Sequence, residues 1–391
     1  MSVDTGVAAP APASVSTAPA SLAAPSTGLA DAAVRLRDLA AAHAADADTA
    51  RGLYREVTHG IREAGFARHF VSARFGGTEG TFAELTRAVM TVGEGCAASA
   101  WCASLAAYSA RFAAHLPEAG HQELWGAGPD TVVATGLMPA GRAVPENGGW
   151  RLTGRWAYVS AVDFADWVMV CAAVPGAGGE GPPQLRFFTL PRGAYSVLET
   201  WDSIGMRATG SHTVVVENAF VPEHLTFDRT DMLTGRNGFS PVPSHNVPFQ
   251  AVGGLTFIAP VAGAATGALA AVADSVTGRR RTQTAELTVV RASGLVDAAR
   301  HLVEQNAQVL DERLFTPEHM ARNERNATFA AEILREAVTL LVGAAGTGGL
   351  GEKHPLQRHW RDITSATSHV ALQYDTAARK NYSAVLLGPE G

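Results

Sequence analysis

Cysteine is scarce in this chain of 391 residues, and basic residues are not in excess. Cys96, Cys102 and Cys171 are an odd number without a CxxC pair, so we expect reduced, buried thiols and a cytoplasmic protein rather than a disulfide framework. The 31 Lys and Arg residues are outnumbered by 37 Asp and Glu residues, which gives a net charge of −6. This balance is poorly suited to neutralising phosphates, so we do not expect nucleic acid as a partner.

Long hydrophobic runs are also missing. We find no uninterrupted apolar run of about 18 residues, so no membrane span is predicted. Residues 1–28 are mostly Ala, Pro, Ser, Thr and Val, and they have neither the positive charge nor the apolar core of a secretory signal. We therefore expect 1–28 to be a disordered tail, whereas the 47% hydrophobic content of the chain suffices for a large core.

Several common catalytic motifs do not occur. There is no G-x-S-x-G, Walker A or H-E-x-x-H pattern, which removes the usual hydrolase, nucleotidase and zinc protease classes. Gly346-Thr-Gly348-Gly-Leu-Gly351 matches G-x-G-x-x-G, but a helical pattern rather than a strand precedes it. We reject a dinucleotide fold and interpret the motif as a glycine-rich connection between helices, with Gly346 and Gly348 as candidate ligand contacts.

Two groups of polar residues near the C-terminus have a plain and a functional interpretation. One group contains His354, His359, Asp362 and His369. The histidine spacings of five and ten do not place two ligands on one helix face, so a metal site is only a minority alternative. The other group is the run Arg279-Arg280-Arg281. With only 17% charged residues in the chain, we favour a phosphate clamp at Arg279 or Arg281 over a solvated charge cluster.

Helical and β patterns are segregated along the chain rather than alternating. Residues 29–127 have helical periodicity, with one long helix over 82–116 ended by Pro117 and a short further helix over Glu118–Trp125. Short β-branched and aromatic runs separated by Gly and Pro predict an antiparallel β domain within 128–235. Four long helices are predicted in 236–391, over 255–276, 287–309, 317–341 and 356–387. The order predicts an α+β fold and excludes a doubly wound sheet or a TIM barrel.

Aromatic residues are concentrated over 150–167, around Ser160. The plain interpretation is a β core rich in aromatic side chains. The functional interpretation is a flat wall for an aromatic cofactor, with the Ser160 hydroxyl as its hydrogen-bonding group.

Five segments in the same order resemble the acyl-CoA dehydrogenase fold, and more closely its branch of two-component flavin-dependent monooxygenases. Along the chain these segments are Gly65-Phe-Ala-Arg-His-Phe-Val with Phe75-Gly76-Gly77; Ala98-Ser-Ala-Trp101 to Trp125-Gly126; Trp150 to Ser160; Gly205-Met-Arg207-Ala-Thr209-Gly210-Ser211 with Phe220-Val-Pro222; and Pro355-Leu-Gln-Arg358 to His369. Within the branch, the chain most resembles aromatic polyketide hydroxylases of the actinorhodin-pathway type. One departure is Ala161, because the family's middle motif usually ends in Ser-Gly.

The resemblance implies an N-terminal helical domain, a middle β domain and a C-terminal helical bundle. It implies that reduced FMN or FADH2 arrives from a separate NAD(P)H:flavin reductase and reacts with O2 to give a C4a-hydroperoxide, which hydroxylates a phenolic, polyketide-like substrate. Ser160 would hold the flavin N5–H in a dry pocket, and His369 would be the base that ionises the phenol. Residues 363–370 contain no carboxylate in place of the catalytic Glu of many acyl-CoA dehydrogenases, which favours the oxygenase.

The resemblance also implies further contacts and an assembly. Flavin contacts are expected at Trp101, Met138, Ser160, Arg279, Arg281, Gly346 and Gly348, and substrate contacts at Ser104, Tyr108 and His369. Core packing is an equally plausible role for the α-helical face of Trp101, Ser104 and Tyr108. We expect a homotetramer in which Arg281 reaches the flavin phosphate across an interface. We also expect one helix to carry Asp362 and His369 on nearly the same face. Two alternatives stay open, namely N-oxygenation of an amine or amino sugar and a dehydrogenase-like flavin binder.

Overall fold

Five helices form the N-terminal part of the computed structural model, which describes residues 28–176, 181–276 and 282–388. They are α1 Leu29–Ala50, α2 Arg55–Glu63, α3 Phe82–Gly95, α4 Ala97–Ala113 and α5 Glu118–Trp125. The expectation of a single helix over 82–116 is wrong, because Cys96 has an extended backbone with φ −155° and ψ 115°. The break lies where α3 meets α1, since a Cβ at Gly95 would be 2.4 Å from the Arg37 carbonyl oxygen.

A seven-stranded sheet follows, in the spatial order β5-β6-β2-β1-β3-β4-β7. The strands are β1 Val133–Glu146, β2 Gly149–Val159, β3 Trp167–Val174, β4 Gln184–Pro191, β5 Ser196–Leu198, β6 His212–Pro222 and β7 Thr226–Asp228. The predicted antiparallel arrangement is wrong for one pair of strands. The sheet is mixed, because β1 and β3 run parallel with Val133 opposite Trp167. Strand β2 runs antiparallel to β1 and therefore ends beside the start of β1. Residues 160–166 then cross the start of β1, and β3 begins on its other side, at the same end of the sheet.

Seven helices complete the described chain. They are α6 Arg229–Thr234, α7 Phe249–Val252, α8 Leu255–Val276, α9 Gln283–Asp311, α10 Pro317–Gly349, α11 Pro355–Ala366 and α12 Arg379–Leu387. The predicted helix over 356–387 is wrong, because a 3₁₀ turn at Val370–Leu372 and a π turn at Tyr374–Ala378 separate α11 from α12. The hydroxyls of Thr364, Thr367 and Ser368 bond to carbonyls of the preceding turn, and such local bonds compete with continuation of a helix.

Helix α8 lies at the centre of the helical core and crosses α3 at very short range. A Cβ at Gly263 would lie 2.1 Å from the Met90 carbonyl oxygen, so the two backbones touch where Gly263 meets Gly93. By length and hydropathy, the stretch Phe249–Ser275 could cross a membrane, but 72% of its most apolar window is buried inside the protein. Its apolar composition is therefore that of a core helix. All three cysteines are free and buried, as predicted.

Candidate active site

Three of the predicted site residues lie together where α4, residues 160–166 and the turn after α11 meet. The Trp101 indole Nε1 donates a hydrogen bond to Ser160 Oγ at 3.2 Å. The Trp101 ring meets the His369 ring edge-on, with centroids 5.9 Å apart. Phe257 of α8 packs against both rings, with its centroid 5.0 Å from Trp101 and 3.9 Å from His369. Sequence reasoning missed Phe257, whose only signal was its place in an apolar helix.

Ser160 follows β2 in a tight turn that is held from two sides. Ala161 adopts φ 64°, a left-handed conformation that glycine takes more easily, and it stands where the family usually has glycine. The Ala161 amide donates to the Thr209 carbonyl oxygen at 2.8 Å. At the far end of the connection, Arg62 donates to the Asp166 carboxylate at 2.6 Å and to the Phe164 carbonyl at 2.8 Å. These bonds fix residues 160–166 against both the helical domain and the loop before β6.

A chain of hydroxyl groups runs from Ser160 into the protein. Ser160 Oγ lies 2.7 Å from Ser211 Oγ, and Ser211 Oγ lies 2.6 Å from Thr209 Oγ1. Thr209 Oγ1 donates to the Met206 carbonyl oxygen at 2.9 Å. Ser211 and Thr209 are buried, whereas Ser160 is half-buried. Both buried residues lie in the fourth family-like segment, but no sequence pattern assigned them to the site.

Asp362 supports this loop from α11. Its carboxylate accepts a hydrogen bond from the Met206 amide at 2.6 Å, and its burial raises the pKa to about 6. Gly205 packs directly on α11, since a Cβ there would be 2.1 Å from the Arg361 carbonyl oxygen. The expectation that Asp362 and His369 share a helix face is wrong, because α11 ends at Ala366.

His369 therefore follows the helix and has an extended backbone, with φ −61° and ψ 138°. Its Nδ1 accepts a hydrogen bond from the Ala371 amide at 3.2 Å. Burial lowers the pKa of the imidazole to about 4, so the ring is neutral at pH 7. A neutral imidazole that accepts at Nδ1 carries its proton on Nε2. In this arrangement the ring can donate a hydrogen bond to a neighbouring oxygen but has no free nitrogen to accept a proton.

The other two predicted substrate contacts are core residues in this structure. Ser104 donates to the Thr256 carbonyl oxygen of α8 at 2.7 Å. Tyr108 packs against Phe70 and Phe82, with centroids 5.7 Å and 6.2 Å away. Within the described ranges, neither residue makes a hydrogen bond or ring contact with Ser160 or His369. Trp101 is thus the member of this predicted face that contacts the candidate site.

The remaining predicted flavin contacts are dispersed. Met138 lies on β1 and is 72% exposed. Gly346 marks a break near the end of α10 with φ 61° and ψ −157°, and nothing lies within 4 Å of a Cβ built at Gly348. Arg279 and Arg281 lie outside the described residues. In the part of the chain that the structure describes, no three His, Cys, Asp or Glu side chains are grouped to hold a metal ion.

Comparison with known proteins identifies the family. Residues 255–374 match the family model of the acyl-CoA dehydrogenase C-terminal domain. The chain is 31% identical over 344 residues to the FADH(2)-dependent resorcinol hydroxylase, oxygenase component, of Rhizobium sp. strain MTP-10005, a match that covers 81% of this chain and 84% of the relative. The chain belongs to this family of flavin-dependent monooxygenase oxygenase components.

Two further relatives agree with this assignment. The oxygenase is 28% identical over 342 residues to the flavin-dependent monooxygenase oxygenase subunit HsaA of Mycobacterium tuberculosis, covering 82% of this chain and 86% of that subunit. XiaF from Streptomyces sp., in complex with FADH2 and glycerol, has a TM-score of 0.85 at 26% identity, over 93% of this chain and 95% of that one. The predicted acyl-CoA dehydrogenase-like fold is confirmed.

The residues of this oxygenase fit a reduced flavin. Ser160 supplies a polar atom beside the aromatic ring of Trp101. Ser160 is half-buried, so part of the residue is accessible to solvent. Two residues before Ser160 in the chain, Tyr158 is 76% exposed and meets Trp201 edge-on at 6.2 Å. Exposed aromatic side chains beside a polar group are typical of a surface that binds a planar ligand.

Proposed function

We propose that this oxygenase component hydroxylates a phenolic aromatic substrate with reduced flavin and O2. The observation that carries the proposal is the Trp101–Ser160 hydrogen bond beside the His369 ring, a polar pair against an aromatic wall. The relative named as a resorcinol hydroxylase supports a phenol as the substrate class. Bound reduced flavin supplies the two electrons with which one oxygen atom enters the ring and the other leaves as water.

Each residue of the site then has a defined task. Ser160 Oγ would accept a hydrogen bond from N5–H of the reduced flavin. Trp101 and Phe257 close the site with two packed rings, and a site closed to water limits the loss of oxygen as peroxide. We assign Met138, Gly346, Gly348 and the Arg279 and Arg281 pair to the flavin and its phosphate on the strength of the family resemblance alone.

We propose that His369 promotes ionisation of the phenol by donating a hydrogen bond from Nε2. The Ala371 amide occupies Nδ1, so a donor role agrees with the contacts of the ring better than the base role expected from the sequence. A donor at the phenol oxygen stabilises the phenolate, which is the carbon nucleophile of ring hydroxylation. The phenol then loses its proton to solvent as it binds, before the site closes to water.

For the finer identity of the substrate we propose a polycyclic, polyketide-like phenol. The support is the resemblance of the chain to aromatic polyketide hydroxylases, within the family branch that the five ordered segments indicate. The oxygenase would work in the cytoplasm with a separate NAD(P)H:flavin reductase, which agrees with three unpaired, buried cysteines. We also propose a homotetramer, since apolar side chains on the C-terminal helices are exposed, among them Leu287 at 69% and Leu387 at 85%.

The test uses the full chain with reduced flavin, isotopically labelled O2 and either resorcinol or a polycyclic phenol. We expect one labelled oxygen atom in the hydroxylated product, with faster turnover of the polycyclic phenol. An arylamine offered under the same conditions should give no N-oxygenated product. Consumption of O2 with release of peroxide alone, whichever phenol is present, would refute the proposed function.

A further inference from the structure

We propose that Thr209 and Ser211 fix the hydrogen-bond direction at Ser160, and that this direction makes the site prefer reduced over oxidised flavin. The inference rests on the proposed function, because it concerns how Ser160 would meet a flavin. Thr209 and Ser211 are positioning residues, since both are buried behind Ser160 and act through its hydroxyl.

The hydroxyl chain ends in a fixed donor on one side and a fixed acceptor on the other. The Trp101 indole N–H can only donate, and Ser160 Oγ receives it at 3.2 Å. A carbonyl oxygen can only accept, and that of Met206 receives the Thr209 hydroxyl at 2.9 Å. Each hydroxyl has a single proton to give. Once Thr209 has given its proton to Met206, Ser211 must donate to Thr209, and Ser160 must donate to Ser211.

The opposite direction is disfavoured by one contact. It would leave Thr209 Oγ1 and the Met206 carbonyl oxygen 2.9 Å apart with no proton between them, so that their lone pairs would repel. The Met206 carbonyl also accepts from the Trp201 indole at 2.9 Å and from the Thr209 amide at 3.2 Å, so this oxygen stays where it is. The Met206 amide is held in turn by Asp362 at 2.6 Å.

The direction of the chain decides what Ser160 offers to a ligand. Its proton points inward to Ser211, and one of its two lone pairs is taken by Trp101, so the other lone pair faces the site as an acceptor. Position N5 of reduced flavin carries a hydrogen and matches this acceptor. The same position in oxidised flavin has a lone pair and no hydrogen, so the two acceptors repel. Water does not readily substitute within the chain, because Thr209 is only 1% exposed.

The decisive variant is Thr209→Val, which keeps the shape of the side chain and removes its hydroxyl. Ser211 then loses its acceptor and donates to Ser160, whose own proton turns into the site. We expect tighter binding of oxidised flavin and weaker binding of reduced flavin. The dissociation constant of oxidised flavin divided by that of reduced flavin should therefore fall by about tenfold, as two altered hydrogen bonds would give. Anaerobic titration of the flavin-free oxygenase with photoreduced flavin, and aerobic titration with oxidised flavin, measure both constants without turnover.

Ser211→Ala is the second variant, and it frees the Ser160 proton without forcing it into the site. We expect tighter binding of oxidised flavin and little change for reduced flavin. Thr213→Val is the matched control, because Thr213 is a 9%-exposed threonine whose hydroxyl bonds to Thr200 at 2.8 Å, outside the chain. The Thr213→Val variant should have the wild-type ratio of the two flavin dissociation constants.

Two results would overturn the inference while leaving the proposed function in place. One is a wild-type ratio in both Thr209→Val and Ser211→Ala, with hydroxylation of the phenol intact in the wild type. The other is an equal fall of the ratio in Thr213→Val. A wild-type protein that binds neither redox state of the flavin would instead remove the proposed function together with the inference.

Discussion

A single backbone amide decides what His369 can do. The Ala371 N–H occupies Nδ1, which places the ring proton on Nε2 and makes the side chain a donor. The sequence predicted His369 as a site residue, and the ring does lie against Trp101 and Phe257. Its hydrogen-bonding state could not be predicted, because it depends on a turn that the helical pattern of 356–387 concealed.

We predict that His369→Gln retains much more hydroxylation than His369→Ala. The glutamine amide nitrogen can reach the position of Nε2 and donate, but it cannot act as a base at neutral pH. His369→Ala should lower hydroxylation by roughly 10²-fold, within the range for loss of a group that assists proton transfer, and release more peroxide per O2 consumed. Product and peroxide, measured together against pH, check this, and higher pH should partly rescue the alanine variant.

The two variants also separate the donor role from the base role and from a purely structural one. Equal loss in His369→Gln and His369→Ala would show that proton abstraction, not donation, is required. If both variants melt at lower temperature but keep the wild-type ratio of product to peroxide, His369 serves the fold rather than the reaction.

At the level of helices and strands, hydrophobic periodicity predicted the helix bounds that depend on nearby residues, but it missed features that depend on contacts between distant segments. The bounds of α5 and the start of α8 at Leu255 agree with the sequence expectation, since apolar periodicity marks both helices. The break at Cys96 could not be predicted, because it arises where Gly95 meets the backbone of a distant helix. The parallel pairing of β1 with β3 was missed for the same reason, as it depends on how residues 160–166 pass the sheet.

Helix packing around α8 gives a prediction for two glycines in helix interiors. Gly263→Ala should lower the free energy of unfolding by about 3 kcal/mol, because its Cβ would lie 2.1 Å from the Met90 carbonyl and force α3 and α8 apart. Gly343→Ala on the exposed face of α10 is the matched control, since nothing lies within 4 Å of its Cβ. It should raise the free energy of unfolding by up to about 1 kcal/mol. Urea unfolding of both variants measures the difference, and equal effects would contradict the close crossing.

For the assembly, we predict that exposed apolar residues of the C-terminal helices are subunit contacts. Leu287 and Val290 are 69% and 70% exposed and lie one turn apart on α9. The double variant Leu287→Glu, Val290→Glu should convert a tetramer into smaller species, because burial of the new charges is costly. Light scattering gives the mass of each species.

Val144→Glu is the control for this test, since Val144 is 52% exposed on β1, away from the bundle, and its variant should stay tetrameric. A wild-type monomer that binds reduced flavin tightly would rule the assembly out.

Over the entire fold, buried neutral histidines govern the response to acid. Burial lowers the pKa of His115 and His359 to about 3, and that of His245 and His369 to about 4. Unfolded histidine titrates near pH 6.5, so below that pH the unfolded chain binds more protons and stability is lost as the pH falls. Asp362 opposes this, since its raised pKa lets the folded state bind one more proton between about pH 4 and pH 6. The pKa values of His69 and His121 are also lowered, whereas raised pKa values are shared with Asp362 by Asp163, Asp231 and Glu324. Six histidines outweigh four carboxyl groups, so the free energy of unfolding should fall from pH 6.5 to pH 5.

His115→Phe isolates one of these contributions. Both ring nitrogens of His115 are buried without a hydrogen-bond partner among the described residues, and the ring stacks on Phe227 with centroids 5.4 Å apart. Phenylalanine keeps the stacking and removes the unpaired polar atoms, so we expect a gain of about 1 kcal/mol at pH 7. The acid slope should fall by roughly 1.4 kcal/mol per pH unit, the share of one proton. Urea titrations at pH 7, 6 and 5 give both quantities, and an unchanged slope would mean that His115 binds a proton equally well in the folded and unfolded chain.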